Sequence, residues 1–195
     1  LEHIASISRI EEERYVWLDR FTVRNLELLS STNENAKTLS EILDETQTAM
    51  GGRMLKRWMV LPLKNKAPIE RRLSVVSFLK EHQELSFELS QRLKNIGDLE
   101  RLISKVAVGK VNPKEVAHLK RTLTEIPSIK ALLQKKSNPK GLTEMLNKLD
   151  PCEKLVGLID QTLAEEPAGQ FGKGEVIHSG WNKELDELRE IAYHG

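Results

Sequence analysis

The sequence predicts an all-α fold, and three observations carry that prediction. Apolar residues recur at helical spacing along most of the chain, as in Ile69, Leu73, Val76 and Leu79. Helix-start signals recur too, above all Asn112-Pro113-Lys114-Glu115. Composition agrees: 30% charged, 39% hydrophobic and only 5% aromatic, with many Leu, Glu, Lys and Arg. At most one or two short strands are expected, at Tyr15–Leu18 and Val176–Ile177.

The elements follow in order. Thr22 is placed to cap a short helical turn over Asn25–Leu28, and residues 30–37 form a polar loop. Thr38 with Glu41 has capping-box spacing ahead of Leu39, Ile42 and Leu43. Met50, Met54, Leu55, Trp58 and Leu61 share a helical stretch that stops at Pro62, and Trp58 is expected in the core. Gly51-Gly52 inside that stretch suggests a kink, a close backbone approach or a helix start, since each helical Gly costs about 1 kcal/mol against Ala. Pro68 stands where a helix can begin. The helical pattern then runs on through Leu85, Leu89, Leu93, Ile96, Leu99, Ile103 and Val106. Val116, Leu119, Leu123 and Ile126 form the next buried stripe, and Asn138-Pro139 and Asp150-Pro151 repeat the start signal. Glu166-Pro167 to Gly174 is a Gly-rich connector. Trp181 to Tyr193 reads as an amphipathic helix with Leu185, Leu188 and Ala192 on one face. The chain starts without Met and stops after this helix, which reads as a piece of a longer protein.

Length and charge bound the function. The 195 residues allow one large domain or two small ones, and 30 Lys+Arg against 29 Asp+Glu leave a net charge of +1. No overall basic field argues for nucleic acid. The single Cys152 permits no intrachain disulfide and fits a reducing compartment, so a cytoplasmic protein is expected. No apolar run approaches the roughly 18–20 residues of a membrane span.

No catalytic, cofactor or metal cluster shows in the sequence. His3, His82, His118, His178 and His194 have no second ligand at metal-site spacing. Cys152 has no base nearby. Gly169-Gln-Phe-Gly-Lys-Gly174 lacks the spacing of a phosphate loop and the Ser or Thr after its Lys. Two stretches are locally basic: Arg53, Lys56, Arg57, Lys64, Lys66, Arg71 and Arg72, then Arg101, Lys105, Lys110, Lys114, Lys120 and Arg121. If any residue touches DNA, the candidates are Arg53, Lys56, Arg57, Lys105, Lys110 and Lys114, by phosphate contacts alone. The rival reading is a set of solvated helix faces.

Several stretches resemble the core region of the MutS family of mismatch-recognition proteins. Asp19-Arg-Phe-Thr22-Val-Arg24-Asn25-Leu26-Glu27-Leu28 is similar to the family's opening motif for this region. Thr48-Ala-Met-Gly51-Gly-Arg53-Met-Leu55-Lys-Arg57-Trp58 resembles its Thr-x-Met-Gly-x-Arg-x-Leu-x-x-Trp motif. Gly97-Asp98-Leu99-Glu100-Arg101, Asn112-Pro113 to Val116, and Gly174 through Arg189 resemble later segments in family order. Gly52, Asn112 and Trp181 stand where Ser, Arg and Tyr are common, which leaves the subfamily open.

The resemblance implies the first half of a core, or lever, domain over residues 1–180, and the start of an ascending arm over 181–195. It implies a non-catalytic segment that couples an ATPase, lying elsewhere in the parent with its ATP and Mg, to a clamp on mismatched duplex DNA. A homodimeric parent and a MutL-like repair partner are implied in the same way. The alternatives are a MutS-like paralogue acting in recombination and a helical protein-interaction module with no DNA role.

Overall fold

The structure, a computed structural model, describes residues 12–33, 35–134 and 136–194. Among these it holds ten α-helices, and the expected strands reduce to single bridges, Tyr15 with Leu63 and Leu163 with Ile177. The all-α expectation holds. The chain divides into two compact units, one taking in Leu1–Lys94 and Ile129–Leu149, the other Asn95–Ser128 and Asp150–Gly195.

In the first unit a 3-10 turn, Glu12–Arg14, leads to the Tyr15 bridge, flanked by hydrogen bonds from Val16 N to Pro62 O and from Lys64 N to Arg14 O. α1 (Arg20–Asn25) is capped by Asp19, which accepts from Thr22 N at 2.6 Å; Thr22 lies inside the helix and is not its cap. Asp19 fits because a short carboxylate reaches the third amide of the first turn, which no carbonyl serves. The helix ends with Glu27 in the left-handed region (φ 48), and Leu28 N then reaches back to Val23 O. Leu28 is thereby turned into the core, outside the helical turn expected for it.

α2 (Leu39–Leu43) carries the expected capping box, Thr38 and Glu41 each bonding the other's amide. α3 (Ala49–Val60) is capped by Thr48, which puts Gly51 and Gly52 in its first turn. A Cβ on Gly51 would meet Thr48 Oγ1 at 3.0 Å, and one on Gly52 would meet the Asp44 carboxylate at 3.3 Å. The glycine pair therefore marks a helix start crowded by the preceding loop. No residue of α3 is buried, and Trp58 is 42% exposed, so the core placement expected for it is wrong.

α4 (Lys66–Glu81) starts two residues before Pro68, which costs nothing because the first turn's amides have no intrahelical acceptor. α4 packs on α8 (Lys140–Lys148) where Gly141 lets the helices close: a Cβ there would lie 3.0 Å from Arg71 O and 3.2 Å from Val75 Cγ2. An Arg71–Glu144 ion pair at 3.1 Å spans the same contact. His82 separates α4 from α5 (Gln83–Leu93), and residues 94–98 separate α5 from the next helix, so the continuous pattern seen from Leu85 to Val106 is broken into separate helices. Phe78, Leu85, Ile129, Leu132, Leu133, Leu142 and Leu146 complete this core with Leu28. Asn138 does not cap α8; its Nδ2 donates to Leu133 O instead.

In the second unit α6 (Leu99–Ala107) is capped by Asp98 and closed by Gly109 at φ 65, with Lys110 N returning to Lys105 O. It buries Leu102 but leaves Ile103 and Val106 exposed. α7 (Pro113–Gln134) opens as expected: Asn112 and Glu115 cap each other's amides, with Pro113 first in the helix. It continues past Pro127, and residues 113–128 belong to this unit, 129–134 to the first. Ala117 and Leu123 are buried, and Thr122 is fully so. α9 (Glu153–Thr162) begins after Cys152, a left-handed residue (φ 51) whose amide is held by Asp150 Oδ1 at 2.8 Å. Cys152 thus stands immediately ahead of the helix.

The Leu163–Ile177 bridge closes the Gly-rich connector, with His178 N donating to Thr162 O. α10 (Lys183–His194) is tied to it by polar bonds: Arg189 donates to Ile177 O at 2.8 Å, and Gly180 N donates to Asp186 at 2.8 Å. Leu188 and Ile191 stay 57% and 68% exposed.

Candidate functional surfaces

Chemistry needs groups brought together. Among the described residues, no three of His, Cys, Asp and Glu gather as a metal ion would require. His3 lies outside the described residues. His82 has Nδ1 2.9 Å from Phe78 O and packs its ring on Phe78. His118 lies against Gly97, and His178 Nδ1 is 2.7 Å from Ser179 O. Each works as a local packing or hydrogen-bonding group. Among the described residues no helix is long and apolar enough to cross a membrane.

The two basic stretches come out differently. In the second unit Lys105 pairs with Glu115 and Lys120 pairs with Asp160 at 2.8 Å. The Lys105 ammonium, with the Asn112 amide, holds the Glu115 carboxyl below the usual range, and Lys120 does the same for Asp160. Lys110 is exposed after Gly109. Lys114 runs its stem over Gly169, where a Cβ would come within 3.7 Å, and with Arg121 lines a cavity of about 430 Å³. Glu165, Glu166 and Glu175 line the same cavity, so its charge is mixed. Folding therefore pairs two of the six cations of this stretch and sets two more in a cavity that acids share.

In the first unit Arg53, Lys56 and Arg57 stand exposed on α3. Lys66 pairs with Glu70 at 3.4 Å along α4. Lys56 lies within electrostatic reach of Glu41 and Asp44, whose carboxyls are held low chiefly by their bonds to Thr38 and Thr46. The Arg72 guanidinium carbon sits 3.5 Å from the centre of the Trp58 ring. Partial burial lowers the Arg72 pKa from its ordinary value, with nearby Tyr15 opposing it. Sequence reasoning missed this stack, because fourteen positions and two prolines separate its members and no helical spacing relates them.

Two helical units, built on capping boxes and glycine contacts, make this an α-helical module. What the described residues present is exposed charge and exposed apolar side chains on several helices. Residues 21–193 match the family model of MutS domain III, and the chain belongs to that family. It is 50% identical over 193 residues to the DNA mismatch repair protein MutS of Cytophaga hutchinsonii, covering 99% of this chain and 22% of that protein. It is 47% identical to the MutS of Christiangramia forsetii over 195 residues, and 46% to that of Bacteroides fragilis over 193. In these two pairings 100% and 99% of this chain align, again against 22% of each relative, so the chain spans about a fifth of the length of the curated relatives it matches.

Proposed function

We propose that this chain is the lever segment of a DNA mismatch-recognition ATPase. Residues 1–180 supply its body and 181–195 the first turns of an ascending arm that leads to a DNA clamp. The observation that carries the reading is the domain III match over residues 21–193, together with the near-complete alignment to proteins named for DNA mismatch repair. ATP and Mg belong to another part of the parent, and this segment performs no reaction. The parent acts as a cytoplasmic homodimer on mismatched duplex DNA, with a MutL-like repair partner.

The physical basis is stiffness. Continuous helices carry a displacement from one end to the other when both ends have discrete states. α10, held at its root by Arg189 and Asp186, is the element through which the body would pass such a displacement to the clamp.

Four Gly-Ser residues inserted after Trp181 in the full-length parent test this. Basal ATP hydrolysis and mismatch binding should persist, while ATP-driven release from the mismatch should slow at least tenfold. Unchanged ATP-driven release would refute the lever reading.

A further inference from the structure

From Thr46 to Ile69 the chain carries five cations, Arg53, Lys56, Arg57, Lys64 and Lys66, and no acid. Folding adds Arg72 to them through its stack on Trp58, which joins α3 to α4 and leaves the Trp58 ring partly open to solvent. Tyr15 bridges Leu63, the neighbour of Lys64, and lies within electrostatic reach of Arg72. The Arg14 guanidinium is 6.0 Å from the centre of the Tyr15 ring. Cations and aromatic rings thus alternate at one corner of the first unit.

Much of that charge is not neutralised. Lys66 has Glu70, but among the described residues Arg57, Lys64 and Arg72 form no ion pair. A guanidinium stacked on a ring keeps its N–H edge free in its own plane, where a carboxylate or phosphate binds with two parallel hydrogen bonds. Half-burying that charge without an acid raises its cost, and an incoming anion removes the cost. One carboxylate satisfies one cation. Three uncompensated cations in a corner with an exposed Trp58 ring and a half-buried Tyr15 ring suit a chain of anions whose bases can also stack.

We propose that this corner, with Arg72 on Trp58 as its anchor and Arg57 and Lys64 as its flanks, is a phosphodiester-binding surface for a DNA backbone. It rests on the reading of the parent as a DNA-binding protein. It selects one of the two basic stretches by its rings: each stretch gives two cations to ion pairs, Lys66 and Arg71 in the first and Lys105 and Lys120 in the second, but among the described residues only the first sets a cation on an aromatic ring.

Fluorescence anisotropy on the 195-residue chain tests it, with a labelled 20-base-pair duplex, the matching single strand, and poly-glutamate as competitor, over a salt series. Arg72→Gln and the triple Arg57→Gln/Lys64→Gln/Arg72→Gln are compared with a Lys110→Gln/Lys114→Gln control. The slope of log affinity against log salt should shrink by about 0.9 per cation removed on duplex and about 0.7 on single strand, and the two slopes tell which form is held. Near 0.1 M salt each lost contact should weaken duplex binding about eightfold. Arg72→Lys, which keeps charge but not the planar edge, should keep the slope and lose affinity, with an unchanged urea midpoint showing that the fold is kept.

An unchanged slope in the triple variant overturns this site while leaving a DNA-binding parent intact. Equal loss in the Lys110/Lys114 control overturns it as well. So does absence of DNA binding at the lowest salt. Poly-glutamate displacing DNA at equal charge concentration overturns it in favour of an acidic protein segment. The lever reading stands or falls separately, on the arm insertion in the parent.

Discussion

Gly97→Ala is the most discriminating single substitution in the second unit. Gly97 has no left-handed backbone to preserve, so the effect of a methyl group is steric. A Cβ there would lie 2.2 Å from His118 Nε2, 2.8 Å from His118 Cδ2 and 3.0 Å from Thr122 Oγ1. The first two contacts are negotiable, because His118 is exposed and its ring can swing away. The third is not: Thr122 is 0% exposed and its hydroxyl accepts the Gly97 amide at 3.1 Å. Shifting the loop to make room stretches that bond, worth about 1 kcal/mol. Overpacking of this kind costs about 1–3 kcal/mol, and the gain from a stiffer unfolded chain is only about 0.4–1 kcal/mol. The net expectation is a loss of about 1–2 kcal/mol in urea unfolding followed by circular dichroism. If the imidazole carries part of the clash, His118→Ala should recover about 1 kcal/mol of it in a double-mutant cycle. A Gly97→Ala midpoint equal to or above that of the parent sequence would refute the close approach of α7 to this loop.

Other outcomes follow from the same geometry. Trp58→Ala should cost about 1–2 kcal/mol in the same assay, from an exposed cation–π stack and partial burial, rather than the roughly 3–5 kcal/mol of a core tryptophan. Glu115 and Asp160 have carboxyl pKa values below the ordinary range, so their stabilisation is present above about pH 4.5 and is lost as pH falls through the lower folded values. Lys105→Gln with Lys120→Gln should flatten that acid limb of a Tm-against-pH curve; an unaltered limb would show that other carboxylates control it. Asn112→Ala should cost about 1 kcal/mol by removing one half of the α7 capping box, read as a urea midpoint. In hydrogen exchange, amides from Glu187 to Ala192 should exchange well before those from Val116 to Ile126, because α10 leaves Leu188 and Ile191 exposed while α7 buries Ala117, Thr122 and Leu123. Equal protection in a monomer would mean that the apolar stripe of α10 docks on the chain's own body.

What the sequence disclosed was local. The Thr38–Glu41 and Asn112–Glu115 boxes were legible because both partners lie within one turn, where spacing alone decides geometry. Asp19 was overlooked because Thr22, a good cap by residue type, stands three positions on, at the amide that Asp19 itself caps. Asn138 and Asp150 misled for a related reason. Both serve backbone groups, but Asn138 closes the end of α7 and Asp150 holds a left-handed Cys152, and an Asx-Pro pair does not reveal which direction its side chain takes. Trp58 failed at the next level. Its apolar neighbours Met54 and Leu61 implied a buried face, yet what meets its ring is Arg72 from another helix. The surfaces follow the same rule: each basic stretch gives two cations to ion pairs, and the two separate only when folding sets Arg72 of the first on the Trp58 ring, with Arg57, Lys64 and Arg72 in no ion pair among the described residues. Charge written along a chain is potential charge, and tertiary pairing decides how much of it remains for a partner.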